Sequence, residues 1–369
     1  MIQLKDIYSI CIDKKFPLAV YQYPGDNQFQ YIIQLSNLKK LNDGEDITSM
    51  KGFAFVPFNQ PYPLPSYVIE PDIMNRDRSY DSSILQLLNQ SKALTPDAYV
   101  SDIPYMASQE EYSDHVTEII THIKNGKFQK AILSRTLIEK RPDFLNHTDL
   151  FLKMCKRYHS SFISMVYIPG YSTWIGASPE LLFSQFNKQI TLVSLAGTQV
   201  RRTGNLTRIV WDEKEKMEQS IVTDYFTNLF SEFNILNYDR NGPYTVEAGD
   251  MVHLKTTFTL PEDKMNGHTD EFIKRLHPTP AVWGQPKTDA LNIITTLEKY
   301  HREHYTGYLG PVNINGRTDL YVNLRTLKAV DDKIIIYVGS GITEGSNPLN
   351  EWEETCMKAQ TVLSIIHSF

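Results

Sequence analysis

The chain has 369 residues, of which 41% are hydrophobic and 22% charged, and its 37 basic and 43 acidic side chains leave a net charge of −6. That length buries a deep core, the composition is that of a globular protein, and the acidic balance without a basic stripe argues against a nucleic-acid partner.

The opening MIQLKDIYSICIDKKF lacks the apolar run of a signal peptide, and no later stretch approaches the roughly 20 apolar residues of a membrane span. Cys11, Cys155 and Cys356 are scattered, odd in number and not at metal-ligand spacing, which fits a reducing compartment. A cytoplasmic location with no membrane attachment is therefore expected. The first hundred residues read as short strands broken by turns, among them GFAFVPF at 52–58, with a long Pro-rich loop from Pro57 to Pro71. Residues 109–124 have helical periodicity and stop at Asn125-Gly126. Strands are expected at 130–140, 161–168, 172–177, 190–198, 319–330 and 333–341, and helices at 212–233, 287–299 and 348–367. Strands in runs rather than in strict βαβ alternation favour an α+β fold with antiparallel or mixed sheets and helices outside. The absence of a GxGxxG after a strand leaves a dinucleotide fold unsupported.

The last helix carries the most chemistry. Ser346-Asn347-Pro348 is a helix start, with a capping side chain before proline at the first helical position. Glu351, Glu354 and Lys358 then share one face at about 100° per residue. Such a face is either a solvated row of salt bridges or a site for a metal and an anion. Before it, IYVGSGITEGSNP reads as an apolar strand running into a glycine-rich loop that exposes N–H groups to a ligand. In the helix at 212–233, Glu218 falls on the apolar stripe of Ile221, Val222, Tyr225 and Leu229. A carboxylate there either reaches water at the helix N-terminus or is paired with a cation. Lys130, Glu180, His253 and Arg325 are isolated polar residues in apolar settings. Each alone reads as structural; together they offer a base, an acid and cationic anchors, suited to proton transfer on a small anionic substrate.

In order along the chain, FQKAILSR (128–135), GASPELLF (176–183), LAGTQVRR (195–202), EKEKMEQSIV (213–222), HLKTTF (253–258), LHPTPAVWGQPK (276–287), YTGYLGPV (305–312), YVNLRTLKA (321–329) and GSGITEGSNPLNEWEETCMK (339–358) resemble the motifs of the chorismate-utilising enzyme superfamily. Lys130, where ammonia-using members have glutamine, and Ala281 at the end of LHPTPA, where they have threonine, resemble the isochorismate synthase branch. The resemblance implies one domain over 1–369, with two stacked sheets, helices outside, a variable part at 1–105 and a catalytic core at 106–369. It implies Lys130 as the base that activates water, Glu180 as the acid, and Mg²⁺ on Glu218, Glu351 and Glu354. It further implies contacts to chorismate from Gly197, His253, Ala281, Tyr305, Arg325, Gly339, Gly341 and Lys358, and a monomer with no glutaminase subunit. Asn323-Leu324-Arg325 departs from the family's Ala-Ile-Arg but keeps the arginine.

Overall fold

The computed structural model describes residues 3–42, 45–58, 64–75, 82–97, 103–201, 206–249 and 251–369. Its strands form two nine-stranded sheets in which every pairing is antiparallel. At the centre of the first lie Lys130–Lys140, Lys333–Ile342, Thr326–Val330, Ser172–Ser178, Phe162–Ile168 and Leu18–Gln22. The second runs from Asp239–Ala248 through Met251–Pro261, Gln189–Val200, Leu181–Phe186, Thr318–Val322, Tyr308–Val312, Gly52–Val56 and Ser66–Ile69 to Lys40–Leu41.

Strands buried on both faces explain the long apolar runs. Phe162 and Val166 pack with Tyr21, Phe53, Trp174 and Tyr321 between the two sheets. The alternating residues Ile163 and Met165 belong to an outer cluster that also holds Leu4 and Ile7 of the helix Leu4–Lys14 and Val362 of the helix Pro348–Ile366. The second sheet is covered on its other face by Phe226 and Phe230 of the helix Glu213–Glu232 and by Phe272 of the helix Thr269–Leu276. The order of layers is thus helices, sheet, sheet, helices. Among the described residues, no helix is long and apolar enough to cross a membrane.

Several expectations need correction. The segment 319–330 is not one strand: Thr318–Val322 belongs to the second sheet and Thr326–Val330 to the first. The break falls at Arg325, whose φ of 51° cannot continue an extended chain. The Pro-rich span contains the strand Ser66–Ile69, which pairs with Gly52–Val56; its residues 59–63 lie outside the described ones. The first hundred residues also hold the helices Leu4–Lys14 and Ser82–Gln90. Their strands Leu18–Gln22 and Gly52–Val56 join different sheets, so the N-terminal part completes both.

Candidate active site

Two places where the chain crosses between sheets set the site's geometry. Pro179-Glu180 joins Ser172–Ser178 in the first sheet to Leu181–Phe186 in the second, and Asn323–Arg325 makes the return crossing. The crossings are tied together: Val322 N–H donates to Glu180 O (3.0 Å), Ala177 N–H to Arg325 O (3.2 Å), and Ser178 Oγ to Val322 O (2.5 Å). Glu180 is buried, which pushes its carboxyl up to about 8 against the partial offset of Lys130 and Lys358. Burial also lowers the Arg325 guanidinium, to about 10. Its side chain reaches only Met251 Sδ (3.6 Å) and Thr361 Oγ1 (3.4 Å) among the described residues; Glu354 acts on its charge from beyond ion-pair contact, which leaves the guanidinium able to hold an anion.

Lys130 opens the strand Lys130–Lys140 and is 0% exposed. Its Nζ lies 3.1 Å from Glu218 Oε1, an ion pair without hydrogen-bond geometry. Burial lowers the ammonium and Glu218 opposes that shift. For Glu218, burial raises the carboxyl, but Lys130, Lys214 and Lys358 outweigh it and hold it below the usual range. Both charges lie over Gly341. A Cβ there would come within 2.3 Å of Glu218 Oε1 and 3.2 Å of Lys130 Cε, so any side chain at this position would displace the pair.

Gly339 and Gly341 lie inside the strand Lys333–Ile342, as expected for 333–341, opposite Ser134 and Ile132, and the loop follows at 343–347. Ser134 N–H donates to Glu298 Oε1 (2.7 Å) and Ile132 N–H to Trp283 O (2.9 Å), so neither faces its partner strand. Gly339 and Gly341 are therefore the non-hydrogen-bonded members of their pairs. Their N–H groups open to the edge that loses its other neighbour after Ile336. On that edge Lys358 Nζ donates to Gly339 O (2.8 Å) and pairs with Glu354 Oε1 (2.6 Å).

A bulge between Ala196 and Thr198 turns Gly197, at φ 70°, toward His253. His253 Nδ1 lies 3.0 Å from Gly197 O. A carbonyl only accepts, so Nδ1 carries the hydrogen and Nε2, buried without a partner, keeps its lone pair. Burial, reinforced by Arg325, lowers this imidazole to about 3 and keeps it neutral. Ala281 N–H is held by Thr279 Oγ1 (3.3 Å), and the Tyr305 ring stacks on Tyr337 with centroids 5.4 Å apart.

Glu180, Gly197, Glu218, His253 and Arg325 line a narrow cleft with about 70 Å³ of free space. Ala281, Tyr305, Gly339, Gly341 and Lys358 complete its wall. Lys130 does not line the cleft; it lies behind Gly341 and Glu218. Glu351 and Glu354 open instead on an adjoining vestibule, with Lys214 and Glu215.

The carboxylate set explains why the last helix read ambiguously. Asn347 caps it, its Oδ1 accepting from Leu349 N and Asn350 N, and Glu351 on its first turn is 1% exposed. Glu351 Oε1 pairs with Lys214 Nζ at 2.9 Å. Burial and Glu354 raise this carboxyl while Lys214 opposes them. Among the described residues no three acidic, histidine or cysteine side chains are gathered as a preformed metal cage, because each carboxylate is turned to an ammonium. The donors nevertheless fit a hard divalent ion. They are all carboxylate oxygens, and the Oε2 atoms of Glu351 and Glu215 are buried without a hydrogen-bond partner. Lys214 and Glu215 were not singled out from the sequence, although Lys214 precedes Glu218 by four residues and so shares its helix face. The expected stripe on that helix is also shifted: Val222, Thr223, Phe226 and Phe230 are buried, whereas Ile221 and Tyr225 sit at its edge.

The sequence profile of the family described as chorismate binding enzyme matches residues 70–367. Isochorismate synthase EntC of Escherichia coli K12 is 30% identical over 199 residues, 52% of this chain and 50% of that protein. The chain thus matches about half the length of that relative. Isochorismate synthase DhbC of Bacillus subtilis is 26% identical over 266 residues, 69% of this chain and 67% of that protein. Among solved structures, MenF of Escherichia coli, a menaquinone-specific isochorismate synthase, superposes with a TM-score of 0.75 at 17% identity, covering 95% of this chain and 88% of that one. That likeness concerns the fold.

Proposed function

The chain belongs to the chorismate binding enzyme family, and from that premise we propose that it is an isochorismate synthase, adding a water hydroxyl at C2 of chorismate and expelling the one at C4, with Mg²⁺ as cofactor. The observation that carries the reading is Glu180: a carboxyl that burial holds protonated up to about 8, on the wall of a cleft lined with cations. A general acid needs that proton at working pH.

Glu180 protonates the departing C4 hydroxyl. Lys130, behind Gly341 and paired with Glu218, takes the proton of the water that attacks C2, which requires Glu218 to move aside and open Lys130 to the cleft; the ring double bonds shift between the two events. Arg325 and Lys358 hold a carboxylate of the substrate together with the N–H groups of Gly339 and Gly341, which open to the same edge. His253 offers Nε2 as an acceptor to a substrate hydroxyl, and Ala281 leaves room beside it without supplying a competing hydroxyl. Glu218, Glu351 and Glu354 would hold Mg²⁺, which when bound withdraws electron density through the ring carboxylate. Without an ammonia-binding element the chain acts without a glutaminase subunit.

The test is incubation of the purified protein with chorismate, with and without Mg²⁺, and identification of the products. Isochorismate formed only with the metal supports the reading. Salicylate with pyruvate would make the chain a salicylate synthase, and unchanged chorismate would leave it a binding protein; either result refutes the proposal.

A further inference from the structure

Lys214 stands where the acidic side chains converge. Its Nζ is 2.9 Å from Glu351 Oε1 and 4.0 Å from Glu215 Oε1, and the charges of Glu218 and Glu354 also act on it. These carboxylates come from two helices, Glu213–Glu232 and Pro348–Ile366. An ammonium has three donors, too few for so many oxygens, and two of them, Glu351 Oε2 and Glu215 Oε2, are left buried without a partner. The side chain of Glu351 is almost wholly enclosed, 2% exposed, and that of Lys214 is 18% exposed, on the vestibule side. One monovalent cation on a flexible stem therefore neutralises a pocket whose charge and oxygen ligands suit a divalent ion.

We propose that Lys214 is a built-in countercation: it holds the two acidic helix faces together while no divalent ion is bound, and it must swing into the vestibule for the ion to enter. This rests on the metal reading given above. The vestibule has room and polar groups to receive the displaced ammonium, among them Asp212, Asn347 and Glu353. The arrangement makes the protein a weak metal binder without substrate and protects its buried carboxylates from mutual repulsion.

The experiment measures Mn²⁺ binding by electron paramagnetic resonance, and thermal unfolding with and without Mg²⁺, on full-length protein without chorismate. Lys214→Met should bind Mn²⁺ at least about tenfold more tightly than wild type, since a charge-assisted hydrogen bond no longer has to be broken first. Its metal-free form should melt lower, with a larger rise on adding Mg²⁺. Lys214→Arg, which keeps the cation, should bind like wild type, and this control separates charge from a folding defect. Equal or weaker Mn²⁺ binding by Lys214→Met would overturn the proposal. Glu351→Gln separates the two levels. If it weakens Mn²⁺ binding while Lys214→Met changes nothing, the metal site stands and the countercation falls. If no protein binds Mn²⁺, or Glu351→Gln binds it unaltered, both fall.

Discussion

Glu180→Gln should yield a protein that is inactive yet more stable than wild type at alkaline pH. Burial moves this carboxyl from 4.5 to about 8, which corresponds to roughly 5 kcal/mol against its ionised form at about 1.36 kcal/mol per pH unit. In the unfolded chain the group ionises above about 4.5. Between that pH and about 8 the folded protein holds a proton that the unfolded chain has released, so folding stability falls as pH rises through this window and is level on either side. Glutamine keeps the shape and cannot ionise. The variant should therefore match wild type near pH 4 and exceed it by about 2–5 kcal/mol near pH 9, the lower figure allowing for water entering around the charge. Turnover should drop by about 10²–10⁴, the worth of a general acid. Urea unfolding at several pH values, beside initial rates, makes the measurement. A stability difference that does not grow with pH, or a variant with near-normal turnover, would refute the placement of a protonated acid at this position.

Three further outcomes are expected. Lys130→Ala should lose about 10²–10⁴ in turnover with an unchanged circular dichroism spectrum; near-normal rates would remove Lys130 from the chemistry. Gly341→Ala should cost about 1–3 kcal/mol of stability in denaturant titration and displace Glu218, because its Cβ would fall 2.3 Å from Oε1, so that higher Mg²⁺ concentrations are needed for half-maximal rate. Arg302→Ala should destabilise by about 3–5 kcal/mol in the same titration, since it leaves Glu298 as a buried unpaired charge. It also frees Val282 O and Ile132 O, which Arg302 ties together at 2.7 and 2.6 Å.

What could be read in the sequence followed from local rules. Helices with one apolar face and a capping residue, such as Pro348–Ile366, and strands with continuous apolar runs, such as Phe162–Ile168, declare themselves through periodicity. The nine ordered motifs carried the family and, through it, the sheet architecture. What escaped was long-range. YVNLRTLKA looks like one strand because each residue suits a strand; the change of sheet at Arg325 is imposed by the hydrogen bonds to Ala177 and Glu180, about 145 positions away in sequence. The strand through VGSG was legible from its apolar run, but the use of Gly341 was not: its missing side chain leaves the space that Glu218 and Lys130 take. The acidic face of the last helix looked equally like a solvated row, since its partner Lys214 lies on another helix and no local pattern connects them.

The measurement closest to the central claim is conversion of chorismate in water enriched in the heavy oxygen isotope, with the product examined by mass spectrometry. Water attack at C2 with loss of the C4 hydroxyl predicts isochorismate bearing one solvent oxygen, at C2, in every molecule formed. Product with no solvent oxygen would mean that the original hydroxyl migrates without leaving, and the acid and base roles given to Glu180 and Lys130 would be wrong.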